Sequence, residues 1–393
     1  MAKMKLEIIE AGTKNLKLIL TVSTHLLSNI HYSLFTFVHA TFEFSLLGYS
    51  VYHFRNSPEE VAQVLFYMGL SVAVMVTSIT GYVPTYRTRE LVEDSYGTYD
   101  YKSLIMRIKL DEVKGQCAES LKGFFKTILF LIVWVISNLT GMTILVGLIK
   151  QEPIYIFPCW HPFDMKNIVF QILILLWQQY VMFTMIFMAF GGGSILFIPY
   201  TYIKSEVALL KYALEEIDSR AYEMARNSKF YNDDLDKSRV LSSCYMKCVK
   251  MCVEHHLEIL RYFSNGKRMV GLSYSTAFCA GIIACTFGGY NINSDNLELK
   301  FKNLAILFFI LGYLFVMFWI ADATTNELLT IAETVFTMEW YNLPKECQST
   351  LQLMLLMSNQ PLFYTLLLGQ KVDMEAYMAL VKATYYYLNF LTA

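Results

Sequence analysis

The chain has 393 residues, a mean hydropathy of +0.40, 55% apolar residues and only 17% charged ones. A soluble domain normally carries about 25% charged residues, so the composition argues against a soluble protein. The net charge of −1 argues against nucleic acid as a partner.

The apolar residues lie in long blocks, each approaching the ~20 residues that cross a bilayer core. They predict an all-α membrane protein with seven transmembrane helices, at residues 32–54, 64–86, 124–149, 168–200, 269–290, 303–322 and 374–392. The first apolar run, Leu16 to Val22, is short, is interrupted by Lys17 and has no small-residue cleavage site, so no cleavable signal peptide is expected. Residues 1–31 form an N-terminal segment ahead of the first span.

Lys and Arg decide the orientation. The N-terminal tail and the segments after spans two, four and six hold 25 of them, the alternate segments 5. The topology is therefore inverted, with the N-terminus cytoplasmic and the C-terminus extracellular. The outer loops are short, and none contains a glycosylation sequon, since Asn138-Leu139-Thr140 lies inside span three. Any ligand must bind among the helices or in the loop from Gln151 to Asn167.

Most of the mass outside the bilayer is expected in the cytosol, in 204–268 and 323–373. Val207, Leu210, Leu214, Ile217, Ala221 and Met224 recur in steps of 3 and 4, which continues span four as a helix. Asn227 to Asp236 is polar and breaks it. A second helix carries Leu241, Tyr245, Cys248, Cys252, Ile259 and Phe263 back to span five. A third, Asn326 to Tyr341, has Leu329, Ala332, Val335 and Phe336 on an apolar side, and Pro344 closes it. Together they form a helical anchor below the membrane.

No catalytic constellation occurs: there is no nucleophile elbow, zinc-protease helix, Walker loop or dinucleotide fingerprint in context. The chain is not expected to be an enzyme or to need a cofactor. Cys244, Cys248 and Cys252 repeat every four residues with His255 and His256 following, but one straight helix cannot wrap a tetrahedral ion. A packed helix face is the better reading, and no metal site is expected. Cys159 and Cys285 both map near the outer side, where a bond between them is conceivable. Gly191-Gly192-Gly193 lacks the strand and Lys-Ser or Lys-Thr of a phosphate loop, so it marks a kink or a close helix contact.

Charges inside the spans are few: Glu43, Lys126, Asp322 and Lys382. They suit a proton relay or, for Lys126 and Asp322, interhelical pairing and snorkelling. Span seven, 374–392, mixes Ala379, Ala383 and Thr384 with aromatics, as in a helix packed among protein neighbours. Asp373 and Glu375 sit at its cytoplasmic mouth, where a symmetric oligomer would form an acidic ring that concentrates cations.

The C-terminal third carries a resemblance. Trp340-Tyr341-Asn342-Leu343-Pro344, then Leu353 to Leu362 with Ser358-Asn359-Gln360-Pro361-Leu362, then Lys382-Ala383-Thr384-Tyr385-Tyr386-Tyr387 resemble the C-terminal signature of insect odorant receptors. Pro158-Cys159-Trp160-His161-Pro162-Phe163-Asp164 resembles the family's second outer loop, and Asp233 to Leu260 its second inner loop. Asn359 stands for the usual basic residue, Thr384 for Ser and Leu388 for Phe. The long inner-loop insertion of the odorant co-receptor is absent, so the chain resembles an odour-tuning subunit.

That resemblance implies a ligand-gated, non-selective cation channel in the plasma membrane of the olfactory neuron dendrite, a heterotetramer with the co-receptor. Span seven would line the pore through Ala383, Thr384 and Tyr387, with Phe390 at the gate, a hydrophobic constriction that dewets when closed. A small volatile odorant would bind in the outer half of spans two, three, four and six. By depth the lining residues are Tyr67, Leu70, Val74, Asn138, Gly141, Leu145, Leu175, Gln179, Phe309 and Tyr313, for each of which ordinary helix packing is the competing reading. A gustatory-type channel acting alone is one alternative. A secondary transporter using Glu43, Asp322 and Lys382 is another, but it ought to show internal repeats, and none is seen.

Overall fold

The computed structural model describes residues 30–94, 99–150, 156, 159–160, 167–227, 237–292 and 297–392. Most of these are helical; among the described residues the one β-pairing is an isolated bridge between Thr365 and Lys371. In chain order the helices are α1 (Ile30–His53), α2 (Pro58–Asp94), α3 (Leu104–Lys150), α4 (Ile168–Glu215), α5 (Ile217–Arg226), α6 (Lys237–Ile292), α7 (Leu297–Thr337), α8 (Lys345–Ser358) and α9 (Met374–Thr392). Among the described residues, three helix segments are long and apolar enough to cross a membrane: Pro58–Val76, Leu104–Ser137 and Asn303–Thr337. Ile168–Thr184 is a shorter apolar run.

Several helices continue well past the predicted spans. Helix α4 starts at an Asn167 cap, whose side chain accepts the Val169 N–H at 2.9 Å, and runs through Pro199 to Glu215. Its lower turns bury Val207, Leu210 and Leu214 completely, as the 3–4 spacing predicts. Helix α5 continues the stripe with Ile217 and Ala221, and carries Asp218 in its first turn and Arg226 in its last, the favourable sense for the helix dipole. Helix α6 is 56 residues long and joins the helix expected in the cytosol to the expected span five without interruption. Its lower half buries Cys244, Cys248, Cys252, Ile259 and Phe263 against α4 and α5.

The expectation for the third cytosolic helix needs correction in two places. Phe336 is 70% exposed rather than on the packed side; Ala332 and Val335 are buried as expected, joined by Leu328 and Ile331. Helix α7 ends at Thr337, and a 3-10 turn at Trp340–Asn342 precedes Pro344, which caps α8. Gln348 locks this corner by donating to the carbonyls of Tyr341 and Leu343 at 2.9 and 2.8 Å. The conceivable Cys159–Cys285 bond is not formed. Both thiols are free and buried, and Cys159 Sγ instead accepts from the Ser50 hydroxyl at 3.6 Å.

Between α8 and α9 the chain makes a tight hairpin. Val372 N–H donates to Tyr364 O, Leu366 N–H to Gln370 O and Gly369 N–H to Leu366 O, with Gly369 in the left-handed region at φ +82°. The hairpin lies along α6. Leu367 N–H donates to the Ser275 hydroxyl at 2.8 Å, and a Cβ on Gly271 would sit 2.8 Å from Thr365 O.

Candidate ligand-binding and pore elements

Three polar clusters organise the molecule. The first is in the anchor, where His255, 1% exposed, bridges two elements. Its Nδ1 lies 2.7 Å from the Tyr101 hydroxyl and its Nε2 2.8 Å from Glu206 Oε2. A neutral imidazole fits both: Tyr101 donates to Nδ1 and Nε2–H donates to the carboxylate. Tyr99 stacks on the same ring at 4.7 Å and donates to Glu254 at 3.2 Å. Arg220, also buried, places its guanidinium 4.4 Å from the Tyr101 ring centre and donates to Ala213 O at 2.8 Å and to Cys252 Sγ at 3.4 Å. Burial pushes the Tyr101 phenol well above its ordinary range, and the Cys248 thiol up to about 11. Ser103 and the Leu104 N–H both bond Glu223, which ties the start of α3 to α5. The short segment between α2 and α3 is thereby fastened to the anchor. Nearby, His256 shares a 3.3 Å hydrogen bond with Ser358 of α8; burial, then its neighbour His255, lowers its pKa to about 4.

The second cluster lies where α1, α2 and α4 meet. Of the residues expected to line a ligand pocket, Tyr67 and Val74 on α2 are buried, and Leu70 packs against the same core. Leu175 on α4 and Phe309 and Tyr313 on α7 are half-buried against it. Gln179 on α4 donates to the Thr140 hydroxyl of α3, which joins those two helices. Gly141 and Leu145 on α3 are exposed, Leu145 at 54%. The side chain of Asn138 lies outside the described residues. The α2, α4 and α7 members all belong to the main apolar core, which also runs through the anchor, so this shared membership does not by itself gather them into one pocket. The structure holds α3 to α4 through Gln179.

The sequence reading took Glu43 as a span charge and as a group for the transporter alternative, and overlooked His39, Ser71, Trp177 and Tyr180. Glu43 is 2% exposed on α1 and lies beside Tyr67 and within hydrogen-bond reach of Ser71. His39, one turn earlier, meets Trp177 and Tyr180 of α4 edge-on, with ring centres 6.3 and 5.2 Å apart. The i, i+4 spacing of His39 and Glu43 was the available signal.

The third element is α9. Asp373 caps it, accepting the Ala376 N–H at 2.9 Å, and pairs with Lys371 at 3.2 Å; Glu375 is exposed. One side packs on α6 and α7. Leu380 is fully buried, Tyr377 donates to Leu311 O at 3.4 Å and sits edge-on to Phe315, and Leu388 meets Gly289. Ala383 and Thr384 are half-buried. The other side is bare: Tyr385, Tyr386, Tyr387 and Phe390 are 61, 69, 56 and 81% exposed. Among the described residues no group of His, Cys, Asp and Glu is arranged to hold a metal ion.

Solved structures share this fold. The insect olfactory receptor OR5 from Machilis hrabei in complex with eugenol superposes with a TM-score of 0.71 at 13% identity, covering 92% of this chain and 88% of that one. The same receptor in a second structure gives a TM-score of 0.68 at 12% identity over the same shares. Among curated proteins none matches the chain. The family model described as 7tm odorant receptor matches residues 57–385, and the chain belongs to that family.

Proposed function

We propose that the chain is an odour-tuning subunit of an odorant-gated, non-selective cation channel in the plasma membrane. In this reading seven spans place the N-terminus in the cytosol and the C-terminus outside. The observation that carries it is the division of α9 into a packed face and a bare aromatic face. A helix that ends in such a face inside a bilayer is suited to meeting its own symmetry mates around an axis. Phe390 then narrows the outer end of the pore, and its bulk closes the path by excluding water. Glu375 supplies free negative charge at the inner mouth, while Asp373 is already committed to its cap and to Lys371.

Assembly with a co-receptor is supported by apolar surface outside the bilayer. Leu353, Leu356 and Met357 on α8 and Phe336 on α7 are exposed in the anchor, where no lipid would cover them. Ligand binding is assigned to Tyr67, Leu70 and Val74 on α2, Leu175 and Gln179 on α4, and Phe309 and Tyr313 on α7; Asn138, Gly141 and Leu145 complete the proposed set from α3. That a family member was solved with eugenol supports a small organic ligand.

The test is a two-electrode voltage clamp of cells expressing the chain with and without an odorant co-receptor, over a broad odour panel. Odour-evoked cation current is expected only with the co-receptor, and Phe390→Ala should raise the current that flows without odour. Silence of surface-expressed protein over the whole panel would overturn the reading.

A further inference from the structure

Helix α1 carries two buried polar atoms that no described residue satisfies, Glu43 Oε1 and His39 Nε2. They stand one helical turn apart, ~6 Å between Cβ atoms, on the same face. Glu43 is 2% exposed in the middle of a predicted span, and no described residue forms an ion pair with it. A charge so placed in hydrocarbon costs several kcal/mol, and such residues mark ligand or ion pathways unless a partner is built in. Here the neighbours on α2 are Tyr67 and Ser71, whose hydroxyls compensate a carboxylate only in part; the Ser71 hydroxyl also lies 3.0 Å from Tyr67 O.

The surroundings point to the missing partner's chemistry. His39 brings Trp177 and Tyr180 of α4 to the same face of α1. Ring faces attract a cation most strongly when water is excluded, with Trp and Tyr among the best. A carboxylate oxygen without a donor, and one turn away an imidazole nitrogen that accepts when its hydrogen is on Nδ1, the imidazole itself flanked by aromatic rings, form a set that accepts hydrogen bonds and positive charge. A neutral ester or hydrocarbon would leave Oε1 as it is.

We propose that this chain recognises a small volatile amine, bound as its ammonium ion, with Glu43 Oε1 as its counter-charge and the His39–Trp177–Tyr180 group enclosing the cationic end. The inference rests on the odour-binding reading above and names the ligand class for that site. The ammonium donates to Oε1, so that two charges enter the apolar interior as one neutral pair. The alkyl tail lies against the Tyr67–Leu70–Val74 side of α2.

The experiment uses hexylamine, hexan-1-ol and hexyl acetate as probes. Thermal unfolding of the purified full chain should be raised most by hexylamine; equal or weaker stabilisation than by hexan-1-ol would overturn the proposal without any variant being needed. In co-receptor-expressing cells, Glu43→Gln should weaken the hexylamine response about tenfold or more and leave the response to neutral odours within a few-fold. Should that variant miss the surface, Trp177→Leu replaces it and should selectively weaken hexylamine by a few-fold. Unchanged amine potency in a surface-expressed variant overturns the assignment. Currents to neutral odours with none to hexylamine refute the amine inference and leave the channel reading intact. Amine-selective stabilisation without any odour-evoked current does the reverse.

Discussion

The anchor and the α1–α2–α4 junction both bury ionisable side chains, but they support them to different degrees. In the anchor, His255 is held from both nitrogens, by Tyr101 and by Glu206, and is stacked on Tyr99. At the junction, Glu43 and His39 each keep a buried atom without a described partner. The anchor has open atoms too, Glu206 Oε1 and Arg220 Nη2, but Glu206 is held by His255 through its other oxygen and Arg220 by Ala213 O and Cys252 through its other amino group. In the proposed reading the junction is the responsive region, the one that a ligand completes.

The largest effect that separates the two is expected from His255→Leu. It strands Glu206 in an interior where both groups are nearly inaccessible, and should cost about 3–5 kcal/mol. Thermal melting in detergent would read this as a collapse of the folded fraction, and a loss below 1 kcal/mol would show that the bridge does not hold the anchor. Next comes a pH effect at His256, whose folded pKa of about 4 lies below the ordinary 6.5. The unfolded chain therefore takes up a proton first. Stability is full above about pH 6.5, falls as pH drops towards 4 and then levels, a loss on the order of 3 kcal/mol. Melting temperature measured against pH should show that slope, and His256→Gln should flatten it. The smallest effect belongs to the responsive region. Gln179→Leu removes the bond to Thr140, worth about 0.6 kcal/mol between membrane helices. Melting should barely move, while the odour profile should shift; an unchanged profile would detach the α3–α4 tie from ligand recognition.

Much of the anchor was readable from periodicity. The stripe from Val207 to Ala221 and the run from Cys248 to Phe263 are buried where their spacing puts them, because helix faces repeat regularly. Phe336 was misplaced, since an apolar residue at a helix end fits the pattern equally well on an exposed edge. Helix α3 begins at Leu104, twenty residues ahead of its predicted span, because polar residues such as Asp111 and Glu112 extend a helix without adding hydropathy. The hairpin between α8 and α9 was not readable, as its pairing depends on α6, about ninety residues away in sequence. The company Glu43 keeps was equally hidden. Which residues face a span charge depends on how each neighbouring helix is rotated, and hydropathy carries no record of rotation.

The hairpin has a mechanical consequence. The chain reaches α9 only after passing two fixed points on α6, a backbone contact at Gly271 and a hydrogen bond at Ser275. The hairpin bond from the Val372 N–H to Tyr364 O then returns the chain to this clasp, and Asp373 starts α9 one residue later. Any slide or tilt of α6 is handed directly to the base of α9, while α8 can stay seated in the anchor.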